Sequence, residues 1–588
     1  MNHFGLRILA LIMMAVILLS SIGSLSAVAA VDSSCSWSPG VIDFYWSNGD
    51  NWACDSGNGP PDANKDVTIS AGQGNAPIVS GNAKAKTVSL SGWLIINAGA
   101  SLTVSNGWSN SGEAAIDSQG TIIGNGEVKT GGTFHFHSSG TINGNLLIDA
   151  LSTASVDVVY LQGNMTNNGS LVGEDLDAQF HMMGPLFSNY GTVSVNEFYF
   201  QRGSGSIQEV TGSGSWNSGI DYLFIDTITH LKAMSNMTFS PQHFFVSEDG
   251  SQLDVGALTV TFNAPVEVDD TGLITGSPGG AVYTQNTPVT ILIPNEASFN
   301  VPLVVKSGIT GANGVFDGPV TVDHGATLRV MESPDGYLTA NDMVTINGDL
   351  DCDRSETFVL RGQQMVINGR VGMGSLYLQG VNHQNITGSG SMTFHNLSVD
   401  APGGVDLSVP FQLNGWLALN ANLNMVNNGV ATLSESAVLT GANADTDIFG
   451  KVTRWGSFQK DKSYSFGNLF LTFTFTNNGS GLPSQISLDL KQERWNDLRG
   501  SIRRSFSFQT TGGSGWTGSL TLDYRDSELP GPENLLQTWT RASSGLRWMR
   551  AVYAEADSTQ NWIRLDGLTH FSDWGLVLQA IYFPMARK

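Results

Sequence analysis

Three sets of residues could do chemistry. Asp349-Leu350-Asp351-Cys352-Asp353-Arg354 carries a carboxylate at every second position, and in an extended strand alternate side chains share a face about 7 Å apart. Such a row of Asp349, Asp351 and Asp353 could hold Ca²⁺, a hard ion that takes several oxygens, or place two carboxylates at a separation usable for glycoside hydrolysis. Arg354, Arg361 and Arg370 follow in a stretch otherwise poor in bases. A solvated acidic face with local ion pairs accounts for the same residues. Thr133-Phe134-His135-Phe136-His137 sets two imidazoles on one strand face; zinc would need at least one more ligand from a neighbouring segment, and packed or surface histidines are the alternative. The third set is Tyr199 and Tyr377. In Glu197-Phe198-Tyr199-Phe200-Gln201 and Ser375-Leu376-Tyr377-Leu378-Gln379 the Tyr shares its face with polar residues, so it points outward, where a ring could stack on a sugar or on a ring of the next strand. Val156-Asp157-Val158-Val159-Tyr160 instead places Tyr160 with two valines, which favours burial. No Gly-x-Ser-x-Gly or Gly-x-x-x-x-Gly-Lys signature is present, and no Ser-His-Asp set can be named.

These residues are held by a repeat. Val159-Tyr160-Leu161-Gln162-Gly163 returns as Phe198-Tyr199-Phe200-Gln201-Arg202 and as Leu376-Tyr377-Leu378-Gln379-Gly380. Ile346-Asn347-Gly348 and Ile367-Asn368-Gly369 lie 21 residues apart. A period near 20 marks stacked units that bury their apolar faces against one another. Leucine-rich repeats share that period, but short runs of Val, Ile, Phe and Tyr separated by Gly, Asn and Ser leave no helical pattern between them. The expected fold is all-β: a parallel β-helix, or β-solenoid, of about 20 residues per coil over residues 65–446, followed by a C-terminal antiparallel β-sandwich over 447–578. The second part is expected from longer alternating strands such as Leu469-Phe470-Leu471-Thr472-Phe473-Thr474-Phe475.

Charge divides the chain at the same place. Residues 31–446 hold 11 Lys and Arg against 38 Asp and Glu, whereas residues 447–588 hold 16 against 13. An acidic solenoid repels polyanions at long range, which argues against nucleic acid and acidic polysaccharide as partners. Charged residues make up only 13% of the 588, and low-charge β-forming stretches aggregate when their edges are bare, so both ends need covers.

Residues 1–30 read as a secretory signal peptide: Arg7, the apolar run Ile8 to Leu19, and Ala27-Val28-Ala29-Ala30 for cleavage. No later stretch has the length of a transmembrane helix. In an oxidising compartment Cys35 and Cys54 are expected to pair, and closing that loop stabilises by roughly 3 kcal/mol on chain-entropy grounds. Cys352 is left over, most simply as a buried small hydrophobe, with a reactive or intermolecular thiol as the alternative. With Trp46-Ser47-Asn48-Gly49-Asp50-Asn51-Trp52 and Pro60-Pro61-Asp62, residues 31–64 form an N-terminal cap.

That opening segment resembles the start of secreted bacterial β-helix proteins, where a Trp-rich run and a Pro-Asp turn precede the first coil. The resemblance implies a right-handed parallel β-helix of the pectate-lyase-like or autotransporter-like kind. Gly450-Lys451-Val452-Thr453-Arg454, Arg494-Trp495, Leu522-Asp523-Tyr524-Arg525-Asp526-Ser527-Glu528-Leu529 and Phe571-Ser572-Asp573-Trp574 resemble, in that order, the β-sandwich module that follows solenoids in large secreted bacterial surface proteins. That module brings no assigned chemistry. The tail over 579–588, Ile581-Tyr582-Phe583-Pro584 within it, is similar to the Tyr-Leu-Pro endings of some exported bacterial proteins, which implies sorting or docking; a last strand or a frayed end is the alternative. Some β-helix polysaccharide lyases combine a Ca²⁺-binding Asp group with a catalytic Arg, and the Asp349 to Arg370 stretch resembles them loosely. Two functions from different classes follow. One is a secreted, cell-surface structural or adhesive protein without catalysis, whose partner is a matrix, glycan or envelope component or its own kind. The other is an extracellular polysaccharide lyase or glycoside hydrolase acting near Asp349 to Arg370; no cofactor is expected, Ca²⁺ being the one that the Asp row could hold.

Overall fold

Short runs in which every second residue is apolar decide the architecture, because each run can bury only one face. In the computed structural model these runs are strands, and three single-turn 3-10 segments are the only helix among the described residues. The structure describes residues 33–578 apart from short stretches, the longest being 39–42, 332–335 and 441–444, and within 107–139 it describes few side chains. The segments expected to be a signal peptide, 1–30, and a C-terminal tail, 579–588, therefore lie outside the described residues. The chain divides into two compact units, 1–184 and 185–588. Each contains parallel β-solenoid coils, with a spacing of about 21 residues, and the second also carries antiparallel sheet at its C-terminal end.

In the first unit Ser33–Trp37 pairs in parallel with Lys65–Ile69 and antiparallel with Trp52–Cys54. Cys35 and Cys54 face each other in that antiparallel pair and are disulfide-bonded. Trp52 sits between Trp37 and Trp46, with ring centroids 5.0 and 4.7 Å away, and its indole N–H donates to the Trp46 carbonyl at 2.9 Å. All three rings are buried. They close the first coil with a dry aromatic plug, the kind of cover a bare sheet edge requires.

The second unit winds three parallel sheets, and every coil contributes one strand to each. The first sheet runs from Leu186–Asn189 to Val438–Thr440, the second from Thr192–Ser194 to the start of Ile448–Trp455, and the third from Glu197–Phe200 to the remainder of Ile448–Trp455. Inward residues stack in register. Leu328, Leu350 and Val371 stand on one another and are fully buried, and each such side chain contributes about 1.5–3 kcal/mol. The Ile-Asn-Gly repeat marks one coil. Ile346 pairs with Ile367, and the Asn368 side-chain N–H donates to the Asn347 amide oxygen at 2.9 Å. A side chain at Gly369 would meet the Gly348 carbonyl oxygen at 1.8 Å, so the close passage of the two turns requires glycine.

The last coil does not end in a free edge. Ile448–Trp455 is parallel to the coil strands on one side and antiparallel to Gln485–Lys491 on the other. From there antiparallel pairing continues through Ser501–Thr511, Asp573–Leu578, Leu536–Arg541 and Met549–Ala551. A separate antiparallel sheet holds Ser463–Ser465, Thr472–Asn477, Thr517–Asp523, Trp562–Leu568 and Glu555–Asp557. Phe571 lies between the two sheets, 4.6 Å from Phe473 of one and 5.5 Å from Phe508 of the other. Arg454 secures the joint: its guanidinium is buried and donates to the carbonyls of Ser434 and Ala437 in the last coil and of Ser465 beyond it. Burial without a carboxylate partner brings its pKa down to about 10.

Candidate functional site

The strand Asp349–Asp351 lies in the third sheet, with Leu350 inward and both carboxylates outward. Cys352 keeps the alternation, buried and with its N–H donating to the Gly372 carbonyl at 2.9 Å, and the strand gives way to a turn in which the Glu356 N–H donates to the Asp353 carbonyl at 3.1 Å. Asp353 and Arg354 therefore sit in the following turn, where the Asp353 N–H donates to the Glu356 carboxylate at 2.6 Å. Asp353 is thus outside the row formed by the other two. The coils above and below supply counter-ions in register: Arg329 lies 3.2 Å from Asp351, and Arg370 lies 3.5 Å from Asp349. These side chains are between 33% and 60% exposed, where each pair is worth about 0.2–1 kcal/mol. Arg354 and Arg361 are exposed. Among the described residues no group of three or more His, Cys, Asp or Glu side chains is placed to hold a metal ion. Burial, with the Glu356 charge second, pushes the Cys352 thiol well above its usual value, so it stays protonated and inert. Of the histidine pair, His135 Nδ1 lies 2.9 Å from the Glu174 carboxylate; the His137 side chain lies outside the described residues.

A different surface is built on the third sheet. Glu197–Phe200, Tyr222–Ile225 and His243–Val246 are successive strands in register. Phe198, Phe200, Leu223, Ile225, Phe244 and Val246 fill the interior, which by alternation turns Tyr199, Phe224 and Phe245 outward in one column. Tyr199 stacks on Phe224 at 4.7 Å and 9°, and Phe224 on Phe245 at 5.1 Å and 17°. Beside this column Tyr222 stacks on His243 at 5.3 Å and 18°. Tyr222 is 39% exposed. Ring faces are thus occupied by neighbouring rings and their edges meet solvent, giving a ribbed apolar strip whose stacked pairs each add about 0.5–1.5 kcal/mol. Polar groups bound it. Asn196, Asp221 and Gln242 are hydrogen-bonded at the strand starts, Gln201 and Asp226 at the strand ends, and Glu267 follows Phe245 in the column. No family model, no curated protein and no solved structure matches this chain.

Tyr199 belongs to that strip, whereas Tyr377 lies in the first sheet, outward, with its ring 6.1 Å from Trp416 at 74°. The returning fragment therefore occupies different sheets of the unit. Tyr160 departs from the burial favoured by its two valines: it is half-exposed and stacked on His181 at 4.3 Å and 13°. The chain passes from one sheet to the next between Val156 and Val158, which resets the alternation, so Val159 and Leu161 are the inward residues.

The densest polar constellation was absent from the candidates because its members are far apart in sequence. Arg504 is fully buried and donates to Asp447, Asp523 and Glu528, which are 57, 19 and 24 residues away. Arg525 also donates to Asp447 and, at 3.3 Å, to Asn422 of the last coil. Burial disfavours the Arg504 charge, but Asp523, Asp447 and Glu528 more than offset it and hold its pKa above the ordinary value. Burial pushes Asp523 up to about 7 despite Arg504. With two guanidinium groups and three carboxylates, the set ties the last coil to the antiparallel strands, with Arg504, Asp447 and Asp523 all but inaccessible.

Proposed function

We propose that this protein is a secreted, cell-surface-associated structural and adhesive β-solenoid that catalyses no reaction. The observation that carries this reading is the aromatic strip of Tyr199, Tyr222, Phe224, His243 and Phe245, an outward apolar surface on a scaffold stiffened by its own stacking. Exposed contiguous apolar surface bounded by polar residues is characteristic of interaction sites. The acidic balance of residues 31–446 directs the choice of partner toward an uncharged glycan or matrix surface, since polyanions are repelled. The exposed pairing of Asp349 with Arg370 and of Asp351 with Arg329 supports a surface role for those carboxylates over the lyase or hydrolase reading.

Adsorption of the purified chain to insoluble neutral polysaccharides and to matrix-coated surfaces tests the proposal. Replacing Tyr222 with Ser and Phe224 and Phe245 with Thr is expected to abolish adsorption while leaving the far-ultraviolet circular dichroism of the solenoid unchanged. Retained adsorption would remove the strip from the function. Cleavage of any soluble polysaccharide, with or without Ca²⁺, that disappears in Asp351→Ala would replace the adhesive reading with the enzymatic one.

A further inference from the structure

Four antiparallel strands in the C-terminal region set Asp489, Ser507, Asp573 and Arg541 side by side in register. The serine hydroxyl donates to Asp573 at 2.7 Å and Arg541 Nε donates to the same carboxylate at 2.9 Å. Arg541 is 4% exposed and packs 4.7 and 4.6 Å from the rings of Trp495 and Trp548. Trp495 is itself fixed. Its N–H donates to the Trp574 carbonyl at 2.9 Å, and a side chain at Gly575 would come within 3.0 Å of its ring. Short side chains, Ser505, Ser507 and Ser572, keep the sheet surface low here, so the rim of Lys491, Glu493 and Trp495 encloses a cleft of about 320 Å³. That volume lies at the small end of small-molecule sites. A second cleft, of about 560 Å³, is lined by Asn424, Asn427 and Asn428 of the last coil, and it shares Asp489 and Lys491 with the first. The two clefts adjoin along those residues and are treated together as one polar groove, with Trp495 in the lining of the first.

The groove's lining carries three bases, Lys451, Lys491 and Arg541, against three carboxylates, Asp489, Glu493 and Asp573. Lys491 stands 3.7 Å from both Asp489 and Glu493, and Arg541 contacts Asp497 and Asp573. An anionic ligand would meet the carboxylates and a cationic one the three bases, whereas alternating donors and acceptors suit hydroxyls, which both give and accept hydrogen bonds. We propose that this groove binds a neutral oligosaccharide, with Trp495 as its apolar wall and Asp489, Lys491 and Asn428 reading hydroxyl groups.

Isothermal titration of the full chain with cellohexaose, mannohexaose, xylohexaose and laminarihexaose, and with hexagalacturonate as the acidic counterpart, tests this. At least one neutral hexasaccharide is expected to bind at a single site while hexagalacturonate does not. Lys491→Ala, an exposed change that leaves the fold intact, is expected to weaken binding about tenfold by removing one charged hydrogen bond, and Trp495→Ala more. Binding of none of the neutral sugars, tighter binding of hexagalacturonate, or binding unchanged in both variants overturns the proposal. Phe224→Thr is expected to leave this binding intact, which separates the groove from the aromatic strip: either can fail alone.

Discussion

The sets around Asp351 and around Arg504 use the same side chains at opposite depths. Asp349, Asp351, Arg329 and Arg370 sit on the outer face of the third sheet, paired one to one across neighbouring coils and partly in water. Arg504, Arg525, Asp447, Asp523 and Glu528 are packed between the last coil and the antiparallel strands, with Arg504, Asp447 and Asp523 all but inaccessible. In water a carboxylate missing its partner is solvated and little changes. In the interior a missing partner leaves a bare charge that nothing else neutralises. Crowded charges in sequence thus belong to the surface, and the consequential charges are those that the fold collects from far apart.

Arg504→Met is the largest test of that contrast, expected to cost about 3–5 kcal/mol because three buried carboxylates lose their shared counter-ion; a chemical denaturation midpoint close to wild type would end the comparison. Next, Leu350→Ala is expected to cost about 2–5 kcal/mol through lost burial and a cavity, far more than removal of either flanking carboxylate. Native-state hydrogen exchange in the adjoining coils measures it. Asp523 gives a pH signature. Its folded pKa of about 7 lies above the roughly 3.9 of an unfolded carboxylate, so the stability it contributes is full below about pH 4 and is lost as pH rises toward 7. Asp523→Asn is expected to flatten that decline in melting temperature between about pH 4 and 7, and an unaltered slope would assign the pH dependence elsewhere. Smallest of all, Arg329→Ala is expected to change stability by less than about 1 kcal/mol; a larger loss would mean that the surface ladder is structural after all.

Much of the solenoid was readable because its information is local and repeated. The 21-residue return of Ile-Asn-Gly is one coil, and the alternation in Phe198-Tyr199-Phe200 assigns the outward ring correctly. Alternation misled at Tyr160, where the corner at Asp157 shifts the parity by one. It also could not say that the strand bearing Asp349 stops at Asp351, which moves Asp353 into a turn. The aromatic strip was half visible: Tyr199 stood out, but Phe224 and Phe245 resemble core residues until the register stacks them on it. The stretch Asp523 to Glu528 shows no role by itself in sequence, since its partner Arg504 lies on another strand.

Composition and periodicity by themselves determined an all-β chain of short strands, wound at about 20 residues per coil, with an acidic repeat and a mixed-charge end. Those properties follow from which residues alternate and how often the pattern returns. Tertiary structure alone decided which charges are buried, which rings share a column and where a polar groove opens. Each of these depends on the register between coils and on the strand Ile448–Trp455, which turns parallel winding into antiparallel sheet and so brings residues from separate stretches of the chain into contact.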